Sequence, residues 1–400
     1  MKLTSTAVSA AIIFAGLVLG YVYRAATFPP VYAIIFFSFF LGGLLIAQSI
    51  KRPRWVVHNL AFVFLALATA ELYFGFNATD ISAAYPHVMQ QDGLGHGARP
   101  GTFRAVKKYG FGTGVVYDVQ YSIDKNGFRV APDSLKQSGP TVMFFGDSFT
   151  FGEGVNDEDT LPNAFSILSG MRVLNFGIGG YGPHQMLRLL ELDVPRKVTA
   201  DFPYLMVYTA LEYHIGRAAG LSEWDKNGPL YEVENEHACY VGSFSEHNVA
   251  CVSFARPIID KLLVHSRIWQ AETRTGQCRA PSDKDALKRD RMRFLEIVKA
   301  ANVIAQQKYH SRLVVILWDD ARARGDAAKN ISWIEAKLLE NNIATLKLSS
   351  KIKDDNFKNF FIRRDGHPNQ KAYRMVAEIL LSWLKENPTI LPSVSHFSAH

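Results

Sequence analysis

The sequence predicts an α/β domain, with helices on both faces of a parallel sheet, preceded by three membrane-spanning helices. Three observations predict this class. Apolar residues make up 48% of the 400 residues, and the excess lies in the first 76 positions. From residue 141 onward, short apolar runs alternate with helical patterns, as in a parallel sheet covered by helices. The run 142–145 ends at a glycine followed closely by a serine, where a buried strand must turn toward a helix.

The amino-terminal part contains three apolar stretches. Residues 6–23 and 31–50 carry no charged side chain, and residues 55–76 carry only His58 and Glu71. Each stretch is about as long as a helix that crosses a hydrocarbon core of ~30 Å. A cleaved signal peptide is the alternative for the first stretch, because a lysine followed by an apolar run also fits one. Two further stretches follow at once, which favours an uncleaved anchor.

Basic residues predict the orientation of this anchor. The segment from Lys51 to Arg54 lies between the second and third stretches and holds three basic residues. The positive-inside rule places it in the cytoplasm. After three spans, everything from about residue 75 onward would face outward. The sequence therefore predicts a multi-pass protein of the cytoplasmic membrane, with the lipid bilayer as a partner and a periplasmic catalytic domain.

Charge and composition argue against several other functions. The formal net charge is +7, but the basic residues are interspersed with acidic ones and form no long run. Nucleic acid is therefore not predicted as a partner. No cysteine or histidine pair has the spacing of metal ligands, so no metal is predicted. The glycines of 175–182 do not fit the dinucleotide fingerprint, and no cofactor is predicted.

The predicted organisation has four parts. These are a membrane anchor at 1–76, a small β-rich lead-in at 77–140, the α/β domain at 141–391 and a tail at 392–400. In the lead-in, 115–123 has strand character and 124–127 has turn character. A polar insertion at 217–278 interrupts the α/β domain. It either shapes substrate access or forms a surface excursion.

Within the α/β domain, the alternation of patterns predicts five strands and five helices. The strands are expected at 142–145, 172–176, 204–208, 313–317 and 343–348, and the helices at 161–169, 185–192, 283–307, 332–339 and 372–383.

Three cysteines lie outside the predicted membrane segments. Cys239 and Cys251 flank a polar segment, and a disulfide between them could close a hairpin. Cys278 would then be unpaired. Other pairings of the three cysteines stay open.

Three residues suggest nucleophilic catalysis. Ser148 stands where the first strand must turn, and a serine hydroxyl needs a base within hydrogen-bond reach. His367 is the candidate base, just before the last helix. Asp365 lies two positions earlier, on the same side of an extended segment, and can orient the imidazole. The alternatives are a capping serine, an aspartate that caps the last helix, and a surface histidine.

Two segments carry a resemblance to a known family. The stretch 141–155, with Gly146-Asp-Ser148, resembles the first block of the SGNH/GDSL hydrolases in their cell-envelope branch, and Asp365-Gly-His-Pro-Asn369 resembles their last block. The resemblance implies a three-layer, flavodoxin-like α/β/α fold in which Ser148 attacks, His367 transfers the proton and Asp365 orients His367. One residue separates acid and histidine here, which is similar to proteins that acetylate or deacetylate extracytoplasmic polysaccharides such as alginate.

The oxyanion hole is the part of the pattern that is incomplete. The run 175–182 resembles the second block and implies that the amides of Ser148 and Gly180 bind the oxyanion. The third block lacks its asparagine, whose place falls to Leu211 or Glu212. His214 either donates in its stead or bonds locally.

Three further residues are candidate substrate contacts. Asp147 would line the pocket beside the nucleophile. Arg363 and Arg364 would bind an anionic glycan, or else form a solvated edge.

The resulting hypothesis is a membrane-anchored serine esterase or O-acyltransferase that acts on acyl esters, mainly acetyl esters, of a cell-envelope polysaccharide. Two alternatives stay open. One is a non-catalytic glycan-binding or scaffolding protein that works with partner proteins in an envelope-assembly complex. The other is a lipid esterase.

Overall fold

The computed structural model describes most of the chain. The described residues are 5–22, 31–49, 54–110, 112–200, 202–247, 284–319, 325–352 and 357–391. They form two compact units, one made of residues up to 84 with 106–116, the other of 85–105 and 117 onward. The tail at 392–400, the second half of the predicted insertion, Cys251 and Cys278 lie outside the described residues. The predicted domain limits at 76 and 140 stay predictions.

The first unit begins with three helices, α1 (Ser5–Val22), α2 (Val31–Ser49) and α3 (Arg54–Asn77). α2 packs against both of the others. Small residues lie at the contacts. A Cβ added at Gly42 would lie 2.7 Å from the Ile13 side chain, and one at Gly43 would lie 3.0 Å from Ala61. Such close approach through small residues is typical of helix pairs in membranes.

Two of these helices are long and apolar enough to cross a membrane. α2 and α3 meet both criteria by length and composition, whereas α1 contains a shorter apolar stretch, Ala7–Leu19. Large apolar side chains of the helices are exposed, among them Phe14 at 68% and Phe62 at 56%. The structure therefore shows two candidate spans, and the third stays a prediction.

Short strands follow the helices. They are β1 (Thr79–Ala83), β2 (Val88–Gln91), β3 (Gly95–Ala98), β4 (Gly101–Tyr109) and β5 (Gly114–Ile123). β1, β4 and β5 form a sheet in the order β1-β4-β5, and β2 pairs with β3. The strand predicted at 115–123 is β5. Its side chains alternate between buried and more exposed positions toward its end, as expected of a strand with one covered face.

The second unit is built on a parallel sheet. Its strands are β6 (Thr141–Phe145), β7 (Arg172–Asn175), β8 (Leu205–Ala210), β11 (Leu313–Leu317) and β12 (Ala344–Lys347). They lie in the order β12-β11-β8-β6-β7. Counted along the chain this is 2-1-3-4-5, the flavodoxin-like order. The fold class predicted for this part of the chain is confirmed.

Helices separate and cover the strands. They are α4 (Ser148–Phe151), α5 (Leu161–Ser169), α6 (Pro183–Glu191), α7 (Val194–Val198), α8 (His214–Ala218), α9 (Lys284–Tyr309), α10 (Gly325–Glu340) and α11 (Gln370–Glu386). α5 packs against α11, and α6 packs against α9. The described part of the predicted insertion contains a hairpin of β9 (Pro229–Glu234) and β10 (His237–Ser243).

The sheet is buried on both faces. Val142 and Phe144 of β6 share one apolar cluster with Val207 of β8 and with residues of α5 and α11. The alternate residues Met143 and Met206 point to the opposite face and are equally buried. Strands covered on both faces read as continuous apolar runs, which is why these were visible in the sequence. The carboxyl end of β6 carries the residues described next.

Candidate active site

Ser148 lies at a sharp turn between β6 and α4. Gly146 has φ +150°, and an added Cβ would lie 3.2 Å from the Thr209 carbonyl oxygen, so only glycine fits without strain. Asp147 caps α4 by accepting a hydrogen bond from the Phe149 amide at 3.0 Å. Ser148 is therefore the first residue of a short helix beyond the carboxyl end of a central strand. Ligands of open α/β sheets bind at this edge.

Three predicted residues form a hydrogen-bonded series. The Ser148 hydroxyl lies 2.8 Å from His367 Nε2, and His367 Nδ1 lies 2.6 Å from Asp365 Oδ2. The Asp365 side chain is fully buried. Because a carboxylate only accepts, Nδ1 carries the proton and Nε2 accepts from the serine. The structure brings Ser148 into contact with His367, which lies 219 positions later in the chain, and the three residues come together as the sequence predicted. Their catalytic roles stay a prediction.

The segment before α11 holds His367 in place. The Ile362 amide donates to the His367 carbonyl at 2.8 Å, and Phe361 bridges to Pro368. Asn369 caps α11, with its side chain accepting from the Ala372 amide. The alternative role of Asp365 was to cap the last helix. Asn369 caps that helix instead.

A second carboxylate lies beside His367. Glu153 Oε2 is 3.5 Å from His367 Nε2. Burial by itself lowers the pKa of His367, but the charges of Glu153 and Asp365 outweigh burial and raise it. Sequence reasoning did not single out Glu153. The available signal was an acidic residue between two glycines of the nucleophile block.

Two tyrosines hold Glu153 from the other side. Tyr85 donates to Oε1 at 2.7 Å, and Tyr117 donates to the same oxygen at 3.4 Å. Burial, together with the Glu153 charge, raises the pKa of both phenols. Glu153 itself is 4% exposed. The carboxylate is therefore held rigidly, with one oxygen bonded and the other beside His367.

Asp147 is the centre of a buried ion-pair cluster. Its Oδ2 accepts from Arg217 at 2.8 Å, from His214 Nε2 at 3.2 Å and from Tyr213 at 3.2 Å. Burial by itself would raise the pKa of Asp147, but Arg217 and His214 hold it well below its usual range. Asp147 is fully buried, so it supports the turn that carries Ser148.

This cluster corrects two expectations for substrate contact. His214 is fully buried, and both ring nitrogens have partners, since Tyr208 donates to Nδ1 at 2.7 Å while Nε2 donates to Asp147. Burial lowers the pKa of His214 to about 4, so the ring is neutral. Neither His214 nor Asp147 has a polar group left for the substrate or the oxyanion. For His214 the structure shows the alternative of local hydrogen bonding, and the partners of both residues come from β8 and α8 and the turn before it.

The loop expected to complete the oxyanion hole passes close to Ser148. A Cβ added at Gly179 would lie 4.0 Å from the Ser148 Cβ. Gly180 has φ +87°, and an added Cβ would lie 2.7 Å from Trp224 Nε1. His96 Nε2 donates to the Gly179 carbonyl at 2.8 Å. Because that carbonyl and the Gly180 amide belong to one planar trans peptide, His96 turns the Gly180 N–H away from itself.

The position of the absent asparagine offers no amide side chain. Leu211 is buried in the apolar cluster, and burial raises the pKa of the half-buried Glu212. Arg363 and Arg364 are exposed on the turn before Asp365. They stay candidate substrate contacts.

Arg129 holds the loop after α4, and the sequence analysis gave it no role. It is buried, with its guanidinium 4.3 Å from the Tyr121 ring centre. It donates to the carbonyls of Phe151, Gly152 and Val155 and to the Asp157 carboxylate. These bonds hold the loop that follows α4 and contains Glu153. The available signal was a basic residue shortly after the turn predicted at 124–127 and before β6.

Three of the residues around the imidazole form a group that could hold a metal ion. Ligand atoms of Glu153, Asp365 and His367 lie within 4.8 Å of one another, close enough to hold an ion. His367 Nε2 and Nδ1, however, are already in contact with Ser148 and Asp365. The donor set fits the serine series better than a cation.

Fold and site together define a class: a flavodoxin-like α/β protein that presents a serine, a histidine and an aspartate in series beyond the carboxyl end of a central strand. No protein-family model and no curated protein matches the sequence. Solved structures do resemble the fold.

Three of these structures illustrate the similarity. A protein assigned to the G-D-S-L lipolytic family, from Desulfitobacterium hafniense DCB-2, is 13% identical, with 60% of this chain and 97% of that chain covered and a TM-score of 0.31. A lipase/acylhydrolase from Enterococcus faecalis is 12% identical, with 62% and 96% covered and a TM-score of 0.35. A family two carbohydrate esterase from Clostridium thermocellum is 10% identical, with 64% and 66% covered and a TM-score of 0.37. At these identities the likeness concerns the fold, and the chemistry is argued from the site.

Proposed function

We propose that the protein is a serine esterase or O-acyltransferase of the SGNH type that acts on acyl esters. The observation that carries the proposal is the series from Ser148 through His367 to Asp365, with contacts of 2.8 and 2.6 Å. A serine with a base at this distance, and a base oriented by a buried carboxylate, is the arrangement that activates a hydroxyl for acyl transfer.

In the proposed mechanism each group carries out one step. Ser148 Oγ attacks the ester carbonyl carbon while its proton passes to His367 Nε2. The Ser148 and Gly180 amides donate to the oxyanion. When the tetrahedral intermediate collapses, the bond to the alkoxy oxygen breaks and His367 returns the proton to the leaving alcohol. Water or a second alcohol then gives a proton to His367 and attacks the acyl-serine. When this second intermediate collapses, the bond to Ser148 Oγ breaks and His367 returns the proton to Ser148.

The direct test uses the full-length chain in detergent micelles. Wild type is expected to hydrolyse p-nitrophenyl acetate and to be labelled by a serine-directed fluorophosphonate. Ser148→Ala should lose both, with its thermal unfolding unchanged within a few degrees. A folded wild-type protein that neither hydrolyses p-nitrophenyl acetate nor reacts with the fluorophosphonate would contradict an enzymatic function. It would support the scaffold alternative, in which the asparagine of the third block is absent because catalysis has been lost.

We also place the enzyme in the cytoplasmic membrane as a multi-pass protein with its α/β domain in the periplasm. The support is the two apolar helices α2 and α3, the apolar stretch of α1 and the basic segment from Lys51 to Arg54. In this position the substrate would be an acylated cell-envelope polysaccharide. The one-residue spacing between Asp365 and His367 and the two exposed arginines beside them support a glycan.

A lipid esterase remains the second candidate, because apolar helices would bring the site to a membrane. The two differ in acyl-chain preference. A polysaccharide deacetylase or acetyltransferase should process p-nitrophenyl acetate faster than the butyrate and octanoate esters. A rate that rises with chain length would favour the lipid substrate.

A further inference from the structure

The two carboxylate oxygens of Glu153 have different surroundings. Tyr85 and Tyr117 both donate to Oε1. No donor in the part of the chain that the structure describes makes a hydrogen bond to Oε2, and His367 Nε2 lies 3.5 Å from this oxygen. The side chain is 5% exposed. Oε2 keeps some accessible surface, so a ligand bound beside His367 can reach this oxygen and donate a hydrogen bond to it.

The oxygen faces the space where the reaction takes place. It is near the same imidazole nitrogen that contacts the Ser148 hydroxyl at 2.8 Å. It is also 3.8 Å from the position of a Cβ added at Gly179, which is itself 4.0 Å from the Ser148 Cβ. Glu153 Oε2 thus lies between the base and the glycine loop, within reach of a group bound beside the nucleophile.

We propose that Glu153 Oε2 accepts a hydrogen bond from a hydroxyl group on the carbon next to the ester-bearing carbon of the substrate. This inference rests on the proposed esterase or acyltransferase function and narrows its substrate class. The substrates are acyl esters of vicinal diols, as found on sugar rings, and Glu153 is a substrate-binding residue that distinguishes them from simple esters.

Charge and geometry favour the alcohol side of the ester. A carboxylate repels the negative charge that develops on the acyl oxygen, so that oxygen must point toward backbone amides instead. The alkoxy oxygen must approach His367 Nε2 to receive its proton. A hydroxyl on the adjacent carbon is then brought near Oε2, which lies beside the same nitrogen. A hydrogen bond to a charged acceptor of this kind is roughly twice as strong as a neutral one.

The test compares two esters that differ only in this hydroxyl: 2-hydroxyethyl acetate and 2-methoxyethyl acetate. For wild-type protein in micelles, we expect kcat/KM to favour the hydroxy ester by about tenfold or more, the effect of one charge-assisted hydrogen bond. For Glu153→Ala, which removes the acceptor, we expect the ratio to fall to near one, and for Glu153→Gln, which keeps a neutral acceptor, we expect it to fall part of the way. Glu158→Gln changes an exposed acid of the same loop and should keep the wild-type ratio.

The ratio of kcat/KM for the two esters, measured within one variant, separates binding of the substrate hydroxyl from other effects of Glu153. The Glu153 charge also raises the pKa of His367, but that effect changes the rate for both esters alike and cancels in the ratio. Labelling of Ser148 by the fluorophosphonate shows that each variant is folded. Equal rates for the two esters in wild type, or an undiminished preference in Glu153→Gln, would overturn the inference while the esterase function stands. If wild type hydrolyses neither ester nor p-nitrophenyl acetate, the proposed function itself fails.

Discussion

His367 lies between two carboxylates, and this should set the pH dependence of activity. Asp365 contacts Nδ1, Glu153 lies near Nε2, and Asp147 adds its charge from further away, so the pKa of His367 is raised despite burial. As a general base His367 must be neutral, so kcat/KM should rise with pH through this raised pKa. Its midpoint is expected above 6.5, the ordinary value for histidine.

Removal of the Glu153 charge tests whether this carboxylate contributes to the raised pKa of His367. In Glu153→Gln one of the two carboxylates is lost, so the pKa of His367 should fall and the acid limb of the profile should move to lower pH. Tyr85→Phe removes a donor to Glu153 but keeps its charge, and serves as the control. Profiles of kcat/KM with p-nitrophenyl acetate measure the effect. Superimposable profiles for wild type and Glu153→Gln would contradict this account.

Asp147 should matter to stability more than its small size suggests. It compensates the buried guanidinium of Arg217, which also donates to the Tyr181 carbonyl at 2.6 Å. Removal of one partner from a buried pair typically costs about 3–5 kcal/mol because it leaves an uncompensated charge. Asp147→Asn should therefore lower the unfolding temperature clearly. The double variant Asp147→Asn, Arg217→Leu, which removes both charges, should lose less than Asp147→Asn does, and a larger loss would argue against the ion pair.

The sign of the pH effect on Asp147 follows from its lowered pKa. A carboxyl whose folded-state pKa lies below its unfolded value contributes stability above the unfolded pKa. That contribution is lost as the pH falls toward the folded pKa. The stability difference between wild type and Asp147→Asn should accordingly shrink in acid. Unfolding temperatures measured from neutral pH down to about pH 3 test this, since the ordinary pKa of an aspartate is about 3.9.

At the scale of elements, the glycine loop after β7 depends on a strand of the lead-in. His96 of β3 donates to the Gly179 carbonyl and is itself packed against the Tyr181 ring, with centres 5.1 Å apart. If Gly180 donates to the oxyanion, His96 is a positioning residue for that donor. His96→Ala should lower kcat with little change in KM, by up to the ~100-fold that loss of an oxyanion donor costs.

A conservative variant distinguishes positioning from general support of the fold. His96→Gln keeps a side-chain donor at this place and should recover part of the lost kcat. Steady-state kcat and KM for p-nitrophenyl acetate, with unfolding temperatures in parallel, give the comparison. A loss confined to KM, or one that tracks the unfolding temperature in both variants, would show that the bond does not serve the oxyanion.

The elements also show where sequence patterns carry information. The helix predicted at 283–307 is α9 (Lys284–Tyr309), because its apolar residues recur with a helical period. α10 begins at Gly325, earlier than the 332 that was predicted, because its first turns hold few apolar residues to mark the period. α7, α8 and the β9–β10 hairpin were not predicted, since short elements give too few repeats to recognise.

At the scale of the whole molecule, the topology is the property most open to test. If the segment from Lys51 to Arg54 is cytoplasmic, a reporter that is active only outside the membrane should work when fused after Phe76 and fail within that segment. A reporter active only in the cytoplasm, fused at the same sites, is the matched control and should give the reverse pattern. Activity of the outside reporter at Lys51 would place the α/β domain in the cytoplasm.

The sequence alone was enough to predict the parallel sheet and the serine series. Val142–Phe145 forms a strand because it is apolar, and it ends where only glycine tolerates the backbone turn at Gly146. Asp365 and His367 lie two positions apart, so their contact is a local property. The pairing of His367 with Ser148 was inferred from residue types and from the family resemblance, and the fold brings the two within 2.8 Å.

Only the tertiary structure decided what surrounds that series. The partners of Glu153 are Tyr85 and Tyr117, His96 is 83 positions from Gly179, and Arg217 is 70 from Asp147. Periodicity and turn chemistry act between neighbours in the chain, whereas these contacts exist because the sheet order brings distant loops to one edge. A charged residue in a loop looks solvated in sequence, and becomes a buried, directed group only when the fold excludes water around it.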